Sequence, residues 1–148
     1  RRFESCWGAI LWGRLFMDEG LKEQAGAWFE RGTHDIETAQ LLLDKQGYTD
    51  IIAFHIHQAV EKYLKGYLVF NGKRHHDTHE LKLLVKAAEE IDQGLSRHVG
   101  FCDRITRYYV QECYPSGPLI EYSYQELAQD LKEAWELTNR IKEVLSGR

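Results

Sequence analysis

The chain has 148 residues, 43% of them hydrophobic and 28% charged, with a formal net charge of −4. That length fits one domain able to bury roughly 68–70% of its unfolded surface, and the acidic balance argues against a broad basic surface that would track duplex phosphates. Three cysteines, Cys6, Cys102 and Cys113, with no CxxC spacing argue against a disulfide framework or thiolate zinc site and place the chain in a reducing cytoplasm.

The opening "RRFESCWGAILWGRLF" carries an apolar run too short to span a bilayer and lacks a small-x-small cleavage site. The sole methionine, Met17, follows it directly. Residues 1–21 are therefore read as an N-terminal apolar extension, residues 1–16 as lying upstream of a natural start at Met17, and residues 22–148 as a helical domain. The arm, with two tryptophans, is suited to self-association.

From Lys22 to about Asp44, Trp28, Ile36, Ala39 and Leu43 recur at helical spacing, and Gly47 offers a left-handed cap. A second helix over Asp50–Phe70 turns Ile52, Ile56, Ala59, Val60, Tyr63 and Tyr67 inward, and "NGK" closes it. The third carries Leu81, Leu84, Val85, Ala88 and Ile91 and ends at Gly94. Asp77 with Glu80, or Thr78 one position on, would cap its start. The fourth runs from about Leu95 to Glu112 and stops before Pro115 and Pro118. Ser123 and Glu126 form a capping box ahead of the fifth, where Leu127, Leu131, Ala134, Thr138, Ile141 and Leu145 repeat as a bundle seam. No strand-like alternation competes, so the expected fold is all-α, an antiparallel up-and-down bundle of four to five helices.

Gln58, Glu61, Lys62 and Lys65 stand at i, i+3, i+4 and i+7 and share one helical face. That face is either solvated, with an internal Glu61–Lys65 pair, or a phosphate-facing surface in which Gln58 reads a base or ribose edge. Arg104 and Arg107 could add cations, and Tyr108, Tyr109 and Tyr114 a stacking surface. The histidine-rich stretch "GKRHHDTHEL" reads as a polar loop running into a helix rather than a metal site, because His75 or His76 with His79 would still need further ligands. His57 and Glu61, four apart, are the other metal-like spacing, and no metal or cofactor is expected.

"FHIHQAVEKYLKGYL", then "THEL", then "YYVQECYP", in that order and spacing, resemble the HEPN family (higher eukaryotes and prokaryotes nucleotide-binding domain). "AWFERGTHDIETAQLLL" is similar to the family's opening helix, and the resemblance spans about Lys22 to Leu145. The family's terminal R-Y-P reads Cys113-Tyr114-Pro115 here. The ribonuclease branch's R-x(4–6)-H signature is absent from the fourth helix: no histidine stands at the required positions after Arg104 or Arg107. Its one formal match, Arg74 to His79, lies in the preceding loop.

The resemblance implies a non-catalytic nucleotide-binding or partner-binding domain acting as a homodimer. It implies work beside a minimal nucleotidyltransferase, as its substrate-binding subunit or as one component of a toxin–antitoxin pair. The ligand-binding set it suggests is Gln58, Glu61, Lys62, Lys65, His79, Arg104, Arg107 and Tyr114. Two alternatives stand beside it. One is a metal-independent ribonuclease in which His79 is the general base and an arginine stabilises the phosphorane. The other is a structural oligomerisation module.

Overall fold

In the computed structural model the backbone is described at residues 3–75, 77–113 and 120–147, and side chains at 19–75, 77–109 and 120–147. Among these residues there are helices and no strands. The order is α1 (Phe3–Asp44), α2 (Thr49–Phe70), α3 (Leu81–Glu89), a short 3-10 helix (Gln93–His98), α4 (Val99–Cys113) and α5 (Tyr124–Ser146). The expected all-helical bundle is present.

Helix α2 is the central element, packing against α1, α3, α4 and α5. Its inward residues Ile52, Ile56, Ala59, Val60, Tyr63 and Tyr67 are all fully buried. Burying each of the larger apolar side chains contributes about 1.5–3 kcal/mol before the entropy of ordering is deducted. Against it lie Ile36 and Ala39 of α1, Leu81, Leu84 and Val85 of α3, Ile105 of α4, and Leu127, Leu131, Ala134 and Ile141 of α5.

The α1–α2 seam is tight because glycines face it from both sides. A Cβ on Gly66 would stand 2.8 Å from the Phe29 ring, and one on Gly32 would stand 2.7 Å from the Tyr63 ring. The aromatic rings fill the space a methyl would need. Tyr63 also shares a 2.6 Å hydrogen bond with Thr33 across the seam.

Several helix ends differ from expectation. The α1 helix begins at Phe3, so the backbone is helical on both sides of the boundary drawn at residues 21 and 22. Its 42 residues extend about 63 Å, nearly twice the span of the 22-residue α2. The left-handed residue after α1 is Gln46 (φ 53°), one position before Gly47, whose N–H closes on the Leu42 carbonyl at 2.7 Å.

Helix α3 starts at Leu81 without a side-chain cap from Asp77 or Thr78. The Thr78 hydroxyl accepts from the Glu80 N–H instead, and the Leu81 N–H donates to Thr106 of α4 at 3.2 Å. The tertiary neighbour satisfies a donor that the local sequence was expected to satisfy. The fourth helix is preceded by a 3-10 turn over Gln93–His98, where Asp92 accepts from the Gly94 N–H while holding Arg140 of α5 in a two-pronged pair, both bonds 2.8 Å. The capping box at α5 is present: Ser123 accepts from the Glu126 N–H.

Candidate functional site

At 100° per residue, positions 54, 58, 61 and 65 run up one face of α2, with 57 on one flank and 55 and 62 on the other. This strip was expected to be either solvated or phosphate-facing. It is largely covered: Glu61 is 4% exposed, Lys65 3% and His57 fully buried. Placing an acid and an ammonium there is costly unless each is paired, and they are. Lys65 Nζ donates to Glu61 Oε1 at 2.7 Å.

The same carboxylate receives His79. Its Nδ1 lies 3.2 and 3.1 Å from the two Glu61 oxygens, across from the loop that leads into α3. Donation from Nδ1 fixes the ring and turns Nε2 away from the carboxylate. The His79 side chain is 44% exposed, whereas that of Glu61 is 5% exposed. Its ring stacks on Tyr109 of α4, centroids 3.9 Å apart and planes 17° from parallel.

A second histidine secures the backbone beneath it. His57 Nε2 donates to the His79 carbonyl at 3.0 Å, so Nδ1 carries the lone pair, toward which the Gln58 amide points at 3.4 Å. Burial lowers the His57 pKa to about 4, against the opposing pull of Glu61 and the bond to the His79 carbonyl. His57 is therefore neutral in the folded protein near pH 7.

The folded pKa lies below the unfolded value of about 6.5, so the unfolded chain binds the extra proton as pH falls. The contribution of His57 is complete above the unfolded pKa and is lost progressively toward pH 4. Between pH 7 and pH 5 the protein should lose about 2 kcal/mol from this group alone. Urea unfolding of the wild type and of His57→Gln at both pH values checks it: the variant should show a markedly smaller drop, and equal drops would exclude His57 as the source.

Lys62, expected in the same site, is engaged elsewhere. It pairs with Asp35 of α1, whose other oxygen holds His55 Nδ1 at 2.8 Å. Burial opposes ionisation of Asp35, yet the hydrogen bonds and charges of His55 and Lys62 outweigh it and hold its carboxyl below the ordinary range. Arg104 donates to Asp130 of α5 at 2.6 Å, and Tyr108, also expected as a stacking residue, donates its hydroxyl to the other Asp130 oxygen at 2.5 Å. Arg107 pairs with Glu126 at 2.8 Å. Both arginines thus turn to α5, while Tyr109, five residues past Arg104, turns to His79. Tyr114 lies outside the described residues.

The structure therefore brings Glu61, Lys65 and His79 together, sets Gln58 at their edge, and adds His57 and Tyr109. In the sequence the four-residue spacing of His57 and Glu61 resembles a metal pair, whereas in the structure His57 supports the His79 backbone. The i−4 position before a buried acid was the available signal. Among the described residues, no three His, Cys, Asp or Glu side chains are arranged to hold a metal ion.

The HEPN domain model matches residues 25–146, a span that holds every member of this cluster. The chain belongs to the HEPN family. A protein of Methanocaldococcus jannaschii described as a "Putative toxin" is 26% identical over 137 residues, which cover 84% of this HEPN chain and 90% of that protein. No solved structure matches this HEPN chain. No helix among its described residues is long and apolar enough to cross a membrane.

Proposed function

We propose that this HEPN protein is a nucleotide-binding component of a toxin-type two-component system, acting in the cytoplasm as a homodimer beside a nucleotidyltransferase partner. The toxin description of the Methanocaldococcus relative supports the two-component context. A free, buried Cys102 accords with a reducing compartment.

One observation carries the ligand reading: a buried carboxylate fixes a half-exposed imidazole on an aromatic ring. A buried ion pair is costly to keep for packing alone, and one that opens to solvent through an imidazole has the arrangement of a site. With Lys65 and Lys62 held by carboxylates, the groups a base or ribose would meet are His79 Nε2 and the Gln58 side-chain amide.

Calorimetric titration with ATP, with and without magnesium, tests this reading. Micromolar, saturable binding is expected, weakened about tenfold or more in His79→Ala at unchanged helicity. No binding heat at millimolar ATP, or equal affinity in the variant, would remove the nucleotide site.

The Glu61–His79 dyad also favours a second reading, a metal-independent ribonuclease with His79 as general base. Against it, Arg104 and Arg107 are turned to Asp130 and Glu126 instead of toward His79. RNA cleavage in EDTA by the wild type but not by His79→Ala would move the assignment to that reading.

A further inference from the structure

We propose that the cleft at the C-terminal end of α2, lined by Lys73, Arg74 and His75, is a polyphosphate subsite that takes the charged tail of the nucleotide. The inference rests on the nucleotide reading of the neighbouring His79 site and extends it. The cleft has a volume of about 270 Å³, with Leu21 and Val69 as its apolar walls and the Gln24 amide beside the basic side chains.

Charge sets this cleft apart. Among the described residues no Asp or Glu lines it, in a protein with a formal net charge of −4. Three other clefts among the described residues each contain carboxylates: Glu121 in one, Glu136 and Glu143 in the second, Glu19 and Glu23 in the third. Arg74 is exposed and makes no ion pair among the described residues, so its guanidinium is available for two-pronged contact with phosphate oxygens. Among the described residues Lys73 pairs with Glu90, which is 71% exposed, a partner readily exchanged for a stronger anion.

The negative end of α2 would oppose an anion here if its carbonyls were bare. They are not: Asn71, Gly72 and Lys73 donate their N–H groups to the carbonyls of Tyr67, Leu68 and Val69. The two cations that follow then outweigh what remains of the dipole.

Trp28 joins the cleft to the His79 site. Lys65 Nζ, bonded to Glu61, lies 5.6 Å from the Trp28 ring centre. The same ring meets His75 edge-on, centroids 5.4 Å apart. A ligand spanning the two sites would pass over the surface above this buried chain of contacts, with its uncharged portion at His79 and its phosphates in the cleft beside His75. This division explains why two lysines of the α2 face can be spent on internal carboxylates without leaving the phosphates unmet.

Inorganic tripolyphosphate is the probe, because it has neither base nor sugar and does not need His79. Saturable, salt-sensitive binding is expected, about 10- to 100-fold weaker in Arg74→Ala and essentially unchanged in His79→Ala. Absence of saturable binding, or equal binding by Arg74→Ala, would overturn the subsite. If ATP binding still depended on His79 in that case, the nucleotide reading would survive without it. Conversely, tripolyphosphate binding that needs Arg74, with ATP indifferent to His79, would keep this cleft and remove the His79 site.

Discussion

Replacing Glu61 with alanine should destabilise the bundle by about 3–5 kcal/mol, because it leaves the Lys65 ammonium buried without its anion. Lys65 is 3% exposed and its bond to Glu61 is 2.7 Å, so the orphaned charge cannot simply turn to water. The same change removes the acceptor for His79. Urea unfolding at pH 7 measures the loss, and the Glu61→Ala/Lys65→Met double variant should recover part of it by deleting the stranded charge. A loss under about 1 kcal/mol, the range of solvated pairs, would contradict the burial on which the site rests. His79→Ala, at a half-exposed ring, should cost far less stability while weakening ligand binding about tenfold or more. Stability and function would then separate at two residues joined by one hydrogen bond.

The second large effect is expected at Tyr63. Truncation to alanine should cost about 3–5 kcal/mol, the range for deleting a buried aromatic ring. The ring is fully buried, packs 5.5 Å from Phe29 between centroids, and occupies the space beside Gly32. Tyr63→Phe keeps the ring and removes only the hydroxyl shared with Thr33, so about 1 kcal/mol is expected. Chemical denaturation of both variants separates packing from hydrogen bonding, and an alanine variant no less stable than the phenylalanine one would mean the seam collapses around the void.

The bundle was legible in the sequence because a 3.6-residue apolar period reports directly on which side of a helix is covered. Ile52, Ile56, Val60, Tyr63 and Tyr67 were read as inward and all are buried. Local chemistry was legible where it is self-contained, as at Ser123 and Glu126. It failed where a distant residue supplied the partner: Thr106 satisfies Leu81, and Asp92 draws Arg140 onto the turn before α4. The candidate site was half visible for the same reason. Glu61, Lys65 and His79 stood out as polar residues in a shared pattern. The tertiary setting that makes them unusual comes from other elements, Trp28 of α1 beside Lys65 and Tyr109 of α4 against His79, and no periodicity in α2 encodes that. Nor could spacing on α2 reveal that Asp35, 27 residues earlier, would claim Lys62.

The glycine-lined seam constrains how this protein can diverge. Gly32 and Gly66 lie outside the polar cluster, yet Gly66 adjoins Lys65 in the chain and Gly32 abuts the Tyr63 ring, two positions from Glu61. Any side chain gained at either glycine must displace the Phe29 or Tyr63 ring, or push α1 and α2 apart or rotate one about its axis. A movement of α2 carries Glu61 and Lys65 with it and shifts the carboxylate relative to His79. Lineages that retain the Glu61–His79 geometry should therefore find these two positions closed to drift, although neither would touch a ligand. Lineages that have lost the site should fill them first with alanine and repack Phe29 and Tyr63 around it.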